Sequence, residues 1–481
     1  MRLLYVFHLI CILVFFLGLT MLAPLLVSII YKDGCHWAFI KAILITTLTG
    51  LISYFFLKCN RNGELSHREG MAIVAMGWLA AGIFGALPYV FANVFDSFIN
   101  AFFESVSGFT TTGASVLNNI ESLSHSILFW RSITQWLGGM GIIVLSVAIL
   151  PFLGVGGMQL YKAEAPTLVV DKLRPRISET AKSLWKVYVF ISLCEVFLLS
   201  TGGMNFFDAL CHTFTTMPTG GFSTKNASIA HYKSAYFDGI IIFFMLLAGI
   251  NFSLHYRLLK GDIKSFFKNP ELKFFLFITA VFTIMVSFNI YGQFNSILKT
   301  IRYASFQVCS IITTTGYVTF DFDTWPTLSK IILLICMFLG ASAGSTGGGI
   351  KCVRLLLLLK CGYKEIFKLI HPHAVTQIKL GKKAVPSDVI SGVIGLFVLY
   401  TTLFIIFSMF LAAMGMDFIS SIAAVAATMG NIGPGLAMVG PVKNYDLVPY
   451  FGKWVLILCM LLGRLEIYTI IVLFTPEFWR K

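Results

Sequence analysis

Long apolar runs separated by short polar ones make up the chain, and their spacing predicts its architecture. Runs long enough for a helix to cross a ~30 Å hydrocarbon core begin with MRLLYVFHLICILVFFLGLTMLAPLLVSII and continue at 37–57, 71–92, 127–152, 184–200 and 236–254. Others lie at 274–291, 328–339 with a continuation to 359, 389–414 and 455–474, which makes ten spanning helices, most of them in pairs. The first run is about twice the usual 7–15-residue apolar core of a signal peptide and ends in no small-residue cleavage site. It is therefore expected to remain as a membrane helix.

Between the members of four pairs lies a shorter stretch, too short to span and too apolar for an ordinary loop. Written without gaps, NAFFESVSGFTTTGAS (100–115) aligns with DALCHTFTTMPTGGFS (208–223) and sets Gly113 over Gly221. ASFQVCSIITTTGYV (304–318) supplies Gly316 and SSIAAVAATMGNIGPGL (420–436) supplies Gly433, so the four glycines are 108, 95 and 117 residues apart. Each copy reads as spanning helix, short half-helix, Gly-containing turn, second spanning helix. The expected fold is an all-α integral membrane protein of four such pseudo-repeats around one central pore, at 70–182, 183–272, 273–386 and 387–481. An additional N-terminal pair of transmembrane helices, 1–69, precedes them.

Non-helical backbone at membrane depth leaves N–H and C=O groups unpaired, so it persists only when buried in protein or lining a water-filled path. Four copies in one chain can close around an axis. A half-helix directs the negative end of its macrodipole at the turn that follows, and carbonyls turned inward can replace the hydration shell of a cation, as in potassium channel filters. Glycine suits the turn because it accepts φ > 0 and puts no side chain on the axis. Thr110 to Thr112 and Thr313 to Thr315, β-branched and disfavoured in helices, are expected to end the half-helices in extended backbone. One TTTG would be explained as well by close helix packing at small residues; four copies at matching places favour the ion path.

Composition agrees with the membrane assignment: 57% of residues are hydrophobic and 12% charged, against roughly 25% charged in a soluble domain. The net charge of +14 reflects topology. Placing Arg2, 58–69, 151–186, 257–273, 351–383 and the C-terminal pair on one side gathers 25 of the 36 Lys and Arg there, which marks the cytoplasmic face and puts both termini on it. No soluble basic domain exists for nucleic-acid binding, whereas contact with anionic membrane lipid fits. The ten cysteines show no CxxC spacing, and HPH at 371–373 reads as solvated histidines without a third ligand.

FTTTGAS, TGGFST, TTTGY and GNIGPG together resemble the filter loops of the Trk, Ktr and HKT superfamily of potassium transporters, with the extra helix pair of its Trk branch. The resemblance covers the whole chain. It implies potassium uptake across the bacterial cytoplasmic membrane, with potassium bound at Thr111, Thr112 and Gly113, at Gly220 and Gly221, at Thr315 and Gly316, and at Ile432 and Gly433. It also implies a homodimer with one pore per subunit and a cytoplasmic regulatory ring of Rossmann-type nucleotide-binding domains. The turns keep one matching glycine of a potassium channel TVGYG, and Pro218 and Pro434 lie in or beside the second and fourth.

GASAGSTGGGIK (340–351) superficially matches a phosphate loop, but Ile350 displaces the lysine, Cys352 replaces the hydroxyl and no strand precedes it. It is instead expected to be an unwound intramembrane segment, and in the resembled family the matching loop, here Gly344, Gly347, Gly348 and Gly349, is a gate. Arg464 in GRLE costs about 2.5–3.5 kcal/mol at mid-membrane and must face the bundle interior or water. Either it makes a salt bridge to another helix or, as the resemblance implies, it projects into the pore. An ion-coupled solute symporter, which also uses broken helices at mid-membrane, is the alternative function. No enzyme is expected, because Glu104, Asp208 and His212 lack ligand spacing, and no organic cofactor is expected besides the potassium ion.

Overall fold

The computed structural model describes residues 2–56, 66–148, 173–374, 376–381 and 383–480. Lys58, Arg61, Lys162, Lys172, Lys382 and Lys481, counted above toward the cytoplasmic face, lie outside the described residues. Six helices among those described are long and apolar enough to span: Leu3–Tyr31, His36–Phe55, His67–Phe91, Glu179–Thr201, Pro270–Phe294 and Ser387–Ala413. Their apolar faces are largely exposed, as a lipid-facing surface must be. His125–Ala148 carries the buried polar side chains Arg131 and Gln135.

Two runs expected to be single spans are broken. Ala235–Gly249 and Phe252–Leu259 meet at 101°, and Tyr450–Arg464 meets Tyr468–Phe474 at 114°. At the first break Ile250 and Asn251 are extended, and the Asn251 side chain accepts from Ser253 N to start the next helix. At the second, Glu466 takes a left-handed φ of 56°. In the third repeat Thr327–Phe338 stops at the glycine-rich segment and helix resumes at Cys352–Ile370. The second helix is thus interrupted in three repeats, where the sequence pattern indicated one.

The four half-helices are Phe98–Phe109, Phe206–Thr216, Ile297–Ile312 and Phe418–Met429. Each packs against the second helix of the repeat before it: Phe206–Thr216 on His125–Ala148, Ile297–Ile312 on Ala235–Gly249 and Phe418–Met429 on Thr327–Phe338. Phe98–Phe109 packs on Tyr450–Arg464, which closes the circle. The core lies inside this ring, with Phe103, Trp130, Val308, Ala426 and Met460 all fully buried. Outside it, Leu3–Thr20 packs on His36–Phe56 and on His67–Gly85 as a peripheral pair.

Candidate functional site

All four half-helices end in the same way. The N–H two residues before each glycine donates to the carbonyl three residues back, Thr111 to Gly108, Thr219 to Thr216, Thr314 to Ile311 and Asn431 to Thr428. The next N–H reaches back five, Thr112 to Ser107, Gly220 to Thr215, Thr315 to Ser310 and Ile432 to Ala427, at 2.8–2.9 Å. This pair of bonds is the Schellman cap. It demands a left-handed residue at its centre, and Thr111, Thr219, Thr314 and Asn431 have φ of 51°, 56°, 61° and 54°. The threonines therefore do end the half-helices, but through a left-handed residue and not through the extended backbone expected of β-branched side chains. Thr110 and Thr313 stay right-handed, with hydroxyls bonded back to Val106 O and Cys309 O.

The glycines close a ring. Gly113, Gly221, Gly316 and Gly433 have φ of 79°, 76°, 79° and 97°, and each lies against the carbonyl oxygen of the residue before the next repeat's glycine. A Cβ on Gly113 would come closer than 3.0 Å to Gly220 O, and one on Gly221 equally close to Thr315 O. Gly316 meets Ile432 O in the same way, and Gly433 meets Thr112 O. Eight of the nine residues marked in the sequence for these turns, all but Thr111, meet at these seams, which exclude any side chain at the four glycines.

Polar side chains behind the ring hold it. Nine residues before each glycine stand Glu104, His212, Gln307 and Ala424. Glu104 accepts from Ser115 Oγ at 3.0 Å and Val116 N at 3.1 Å, His212 Nε2 pairs with Ser223 Oγ at 3.0 Å, and Gln307 Nε2 donates to Thr319 Oγ1 at 3.2 Å. In the fourth repeat, where alanine has no such group, Tyr445 donates to Gly433 O at 2.6 Å. Arg131 bridges two repeats: it pairs with Glu104 at 2.9 Å, donates to Ser223 O at 3.2 Å and lies over the Phe222 ring. One turn on, Gln135 Nε2 donates to Gly220 O at 2.7 Å while its Oε1 accepts from Phe222 N. Arg131 and Gln135 were not singled out in the sequence; their i, i+4 spacing in an otherwise apolar run was the available signal.

The glycine-rich segment lies against the C-terminal ends of the half-helices. Its stem is pinned by Gly340 N to Ile350 O at 2.7 Å and Ile350 N to Phe338 O at 3.2 Å, and the Glu271 carboxylate accepts from Ala343 N and Val353 N. Its tip spans three repeats. Thr346 donates to Met217 O at 2.9 Å and Ala248 O at 3.1 Å, and Gly348 N donates to Thr314 Oγ1 at 2.6 Å, while Gly348 itself is backed by Gly430 and Asn431. The breaks in the neighbouring helices supply its other partners, with Ser342 N donating to Gly249 O and Phe252 N to Gly344 O at 3.0 Å each.

Two cations touch the tip from the far side. Arg464 Nη1 donates to Thr346 O at 2.7 Å, and Lys351 Nζ donates to Gly347 O. Arg464 is buried, and its Nε and Nη2 have no hydrogen-bond partner among the described residues. The interhelix salt bridge considered for Arg464 is made by its neighbour Glu466, to Arg354.

Four half-helices whose end turns close a ring of backbone contacts inside a multi-pass bundle have the form of a membrane transport protein. The family model described as TrkH, a cation transport protein, matches residues 36–481, and the chain belongs to that family. It is 45% identical over 469 residues, 96% of each chain, to the Trk system potassium uptake protein TrkH of Escherichia coli K12, and 36% identical to TrkG of the same organism over 98% of each chain. The crystal structure of the potassium transporter TrkH from Vibrio parahaemolyticus superposes with a TM-score of 0.93 at 39% identity, covering 100% of both chains.

Proposed function

We propose that this chain carries potassium across the bacterial cytoplasmic membrane through the ring of four turns, as the membrane subunit of a Trk-type uptake system. The observation that carries the reading is the closure of the ring, in which Gly113, Gly221, Gly316 and Gly433 each abut the next repeat's carbonyl. Carbonyls of Thr112, Gly220, Thr315 and Ile432 then provide the oxygens that replace water around a dehydrated cation. The half-helices add the negative ends of their dipoles. Potassium is cargo, no organic cofactor enters, and an inside-negative potential supplies about 2.3 kcal/mol per charge per 100 mV.

Below the ring, the loop at Gly344, Gly347, Gly348 and Gly349 and the guanidinium of Arg464 act as the gate. A cation passing about 5 Å from Arg464 at an effective dielectric near 20 meets a repulsion of about 3 kcal/mol. The reading keeps the N-terminal helix pair outside four pore repeats, both termini in the cytoplasm, two subunits with one pore each, and a cytoplasmic nucleotide-binding ring that moves the loop. Support for the last element is positional: Cys352–Ile370 leads directly from the loop and carries Lys360, Lys364 and Lys368. Rubidium uptake by potassium-uptake-deficient cells expressing the chain, set against uptake of amino acids and sugars, is the test. Rubidium uptake alone is expected, and solute uptake without rubidium would replace the channel with a symporter.

A further inference from the structure

The second turn carries two glycines in a row, Gly220 and Gly221, where the residue before the ring glycine is Thr112, Thr315 or Ile432 in the other three. Gly221 needs glycine for its left-handed φ of 76°, but Gly220 is not among the left-handed glycines, so its φ does not call for one. What keeps a side chain out is Gln135. A Cβ on Gly220 would come closer than 3.0 Å to Cδ, Oε1 and Nε2 of that residue, its three nearest atoms. At this one turn a carboxamide reaching in from His125–Ala148 stands where the turn's own side chain would begin.

Gln135 is fully buried and uses both ends of its amide. Nε2 donates to Gly220 O at 2.7 Å and Oε1 accepts from Phe222 N at 3.1 Å, so the side chain brackets Gly221 as a paired strand would. The reverse orientation would set donor against donor, which fixes the amide. Gly220 O is also the seam oxygen that Gly113 abuts. Its counterparts Thr112 O, Thr315 O and Ile432 O accept no hydrogen bond among the described residues. The four backbones are alike, and one of the four oxygens is not.

We infer that Gln135 is a specificity-determining residue of the ring: its amide occupies the Gly220 carbonyl, so that this oxygen is fixed in place and offers a passing cation less than the other three. The inference rests on the proposed potassium pathway and names what sets its preference. A carbonyl has two lone pairs, and a hydrogen bond to one of them draws on the electron density that a cation would use. Sodium is smaller and more strongly hydrated than potassium, so it needs closer and stronger oxygens to replace its water. An oxygen both weakened and fixed favours potassium whether selectivity comes from the size of the site or from the field of its carbonyls. The seam between the first and second repeats therefore carries a share of the discrimination that the other three seams do not.

The test is the bi-ionic reversal potential of full-length protein in planar bilayers, potassium chloride against sodium chloride. Gln135→Met keeps the length of the side chain and loses both hydrogen bonds. It should lower the potassium-to-sodium permeability ratio about fivefold, the worth of one hydrogen bond. A second variant separates this role from packing. Gln135→Ala opens the space, and adding Gly220→Thr, the residue of the first and third turns, refills it without restoring the bond to the carbonyl. The double variant should recover the thermal stability that Gln135→Ala loses and still show the lowered ratio. A wild-type ratio in Gln135→Met, or in the double variant, makes Gln135 a packing residue only, which overturns the inference and leaves the pathway standing. If Gln135→Met does not insert, the double variant decides alone. Absence of potassium current in wild-type protein overturns the pathway itself, and the inference with it.

Discussion

The two faces of the ring obey different symmetries. Above, four turns share one cap, one pair of left-handed residues and one seam contact, although their sequences run TTTG, PTGG, TTTG and GNIG. Below, the second helices diverge: one continues through Gly138, one breaks at Ile250, one gives way to the loop at Leu339, and one turns at Glu466. On the proposed function, a ring around an ion needs similarly placed oxygens on all sides, which would hold four backbones to one geometry, whereas a gate needs a single segment, with the other breaks supplying its partners.

Breaking the upper face is expected to have the largest effects. Glu104→Ala strands Arg131 in a site where both are essentially unexposed, and losing one partner of a buried pair costs about 3–5 kcal/mol. Thermal unfolding in detergent should fall accordingly, and unchanged unfolding would mean that the pair does not hold the turn. Gly113→Ser places a side chain against Gly220 O and onto a left-handed backbone; overpacking and conformation together cost about 3 kcal/mol. Potassium flux should drop on the order of a hundredfold and preference shift toward sodium. Normal permeability with normal expression would remove the ring from the ion path.

The lower face should give smaller, opposite changes. Arg464→Ala removes the charge beneath the ring together with one tie to Thr346 O. Water and loop carbonyls reduce its roughly 3 kcal/mol repulsion, so basal rubidium flux into vesicles should rise about tenfold without the regulatory partner, at unchanged selectivity. A change of selectivity without a change of flux would make Arg464 part of the ring's support. Smallest is the charge effect at the cytoplasmic face, where Arg257, Lys260, Lys264 and Lys268 stand on Phe252–Leu259 and beyond. Binding of a soluble partner there should weaken with salt, given a Debye length of about 8 Å at physiological ionic strength. Salt-indifferent binding would leave these charges as markers of topology.

Six of the ten expected spans, and the four glycines that the turns bring together, were legible in the sequence alone. Apolar length and glycine spacing are local quantities, and a fourfold repeat makes a weak local signal specific. Tertiary structure decided what joins those segments. That Gly113 meets Gly220 and that Gly433 returns to Thr112 follows only once each half-helix packs on the preceding repeat, because no pattern within one turn encodes its neighbour. The left-handed threonines had the same origin: β-branching points to extended backbone, and cap hydrogen bonds at the buried helix end overrode it. The breaks at Ile250 and Glu466 lie in runs apolar enough on average to pass as single spans, the second in spite of Arg464 and Glu466. Freed backbone groups near the break at Ile250 are bonded by the loop, so the stability of a broken helix depends on a segment roughly ninety residues away along the chain, which only the folded molecule brings near.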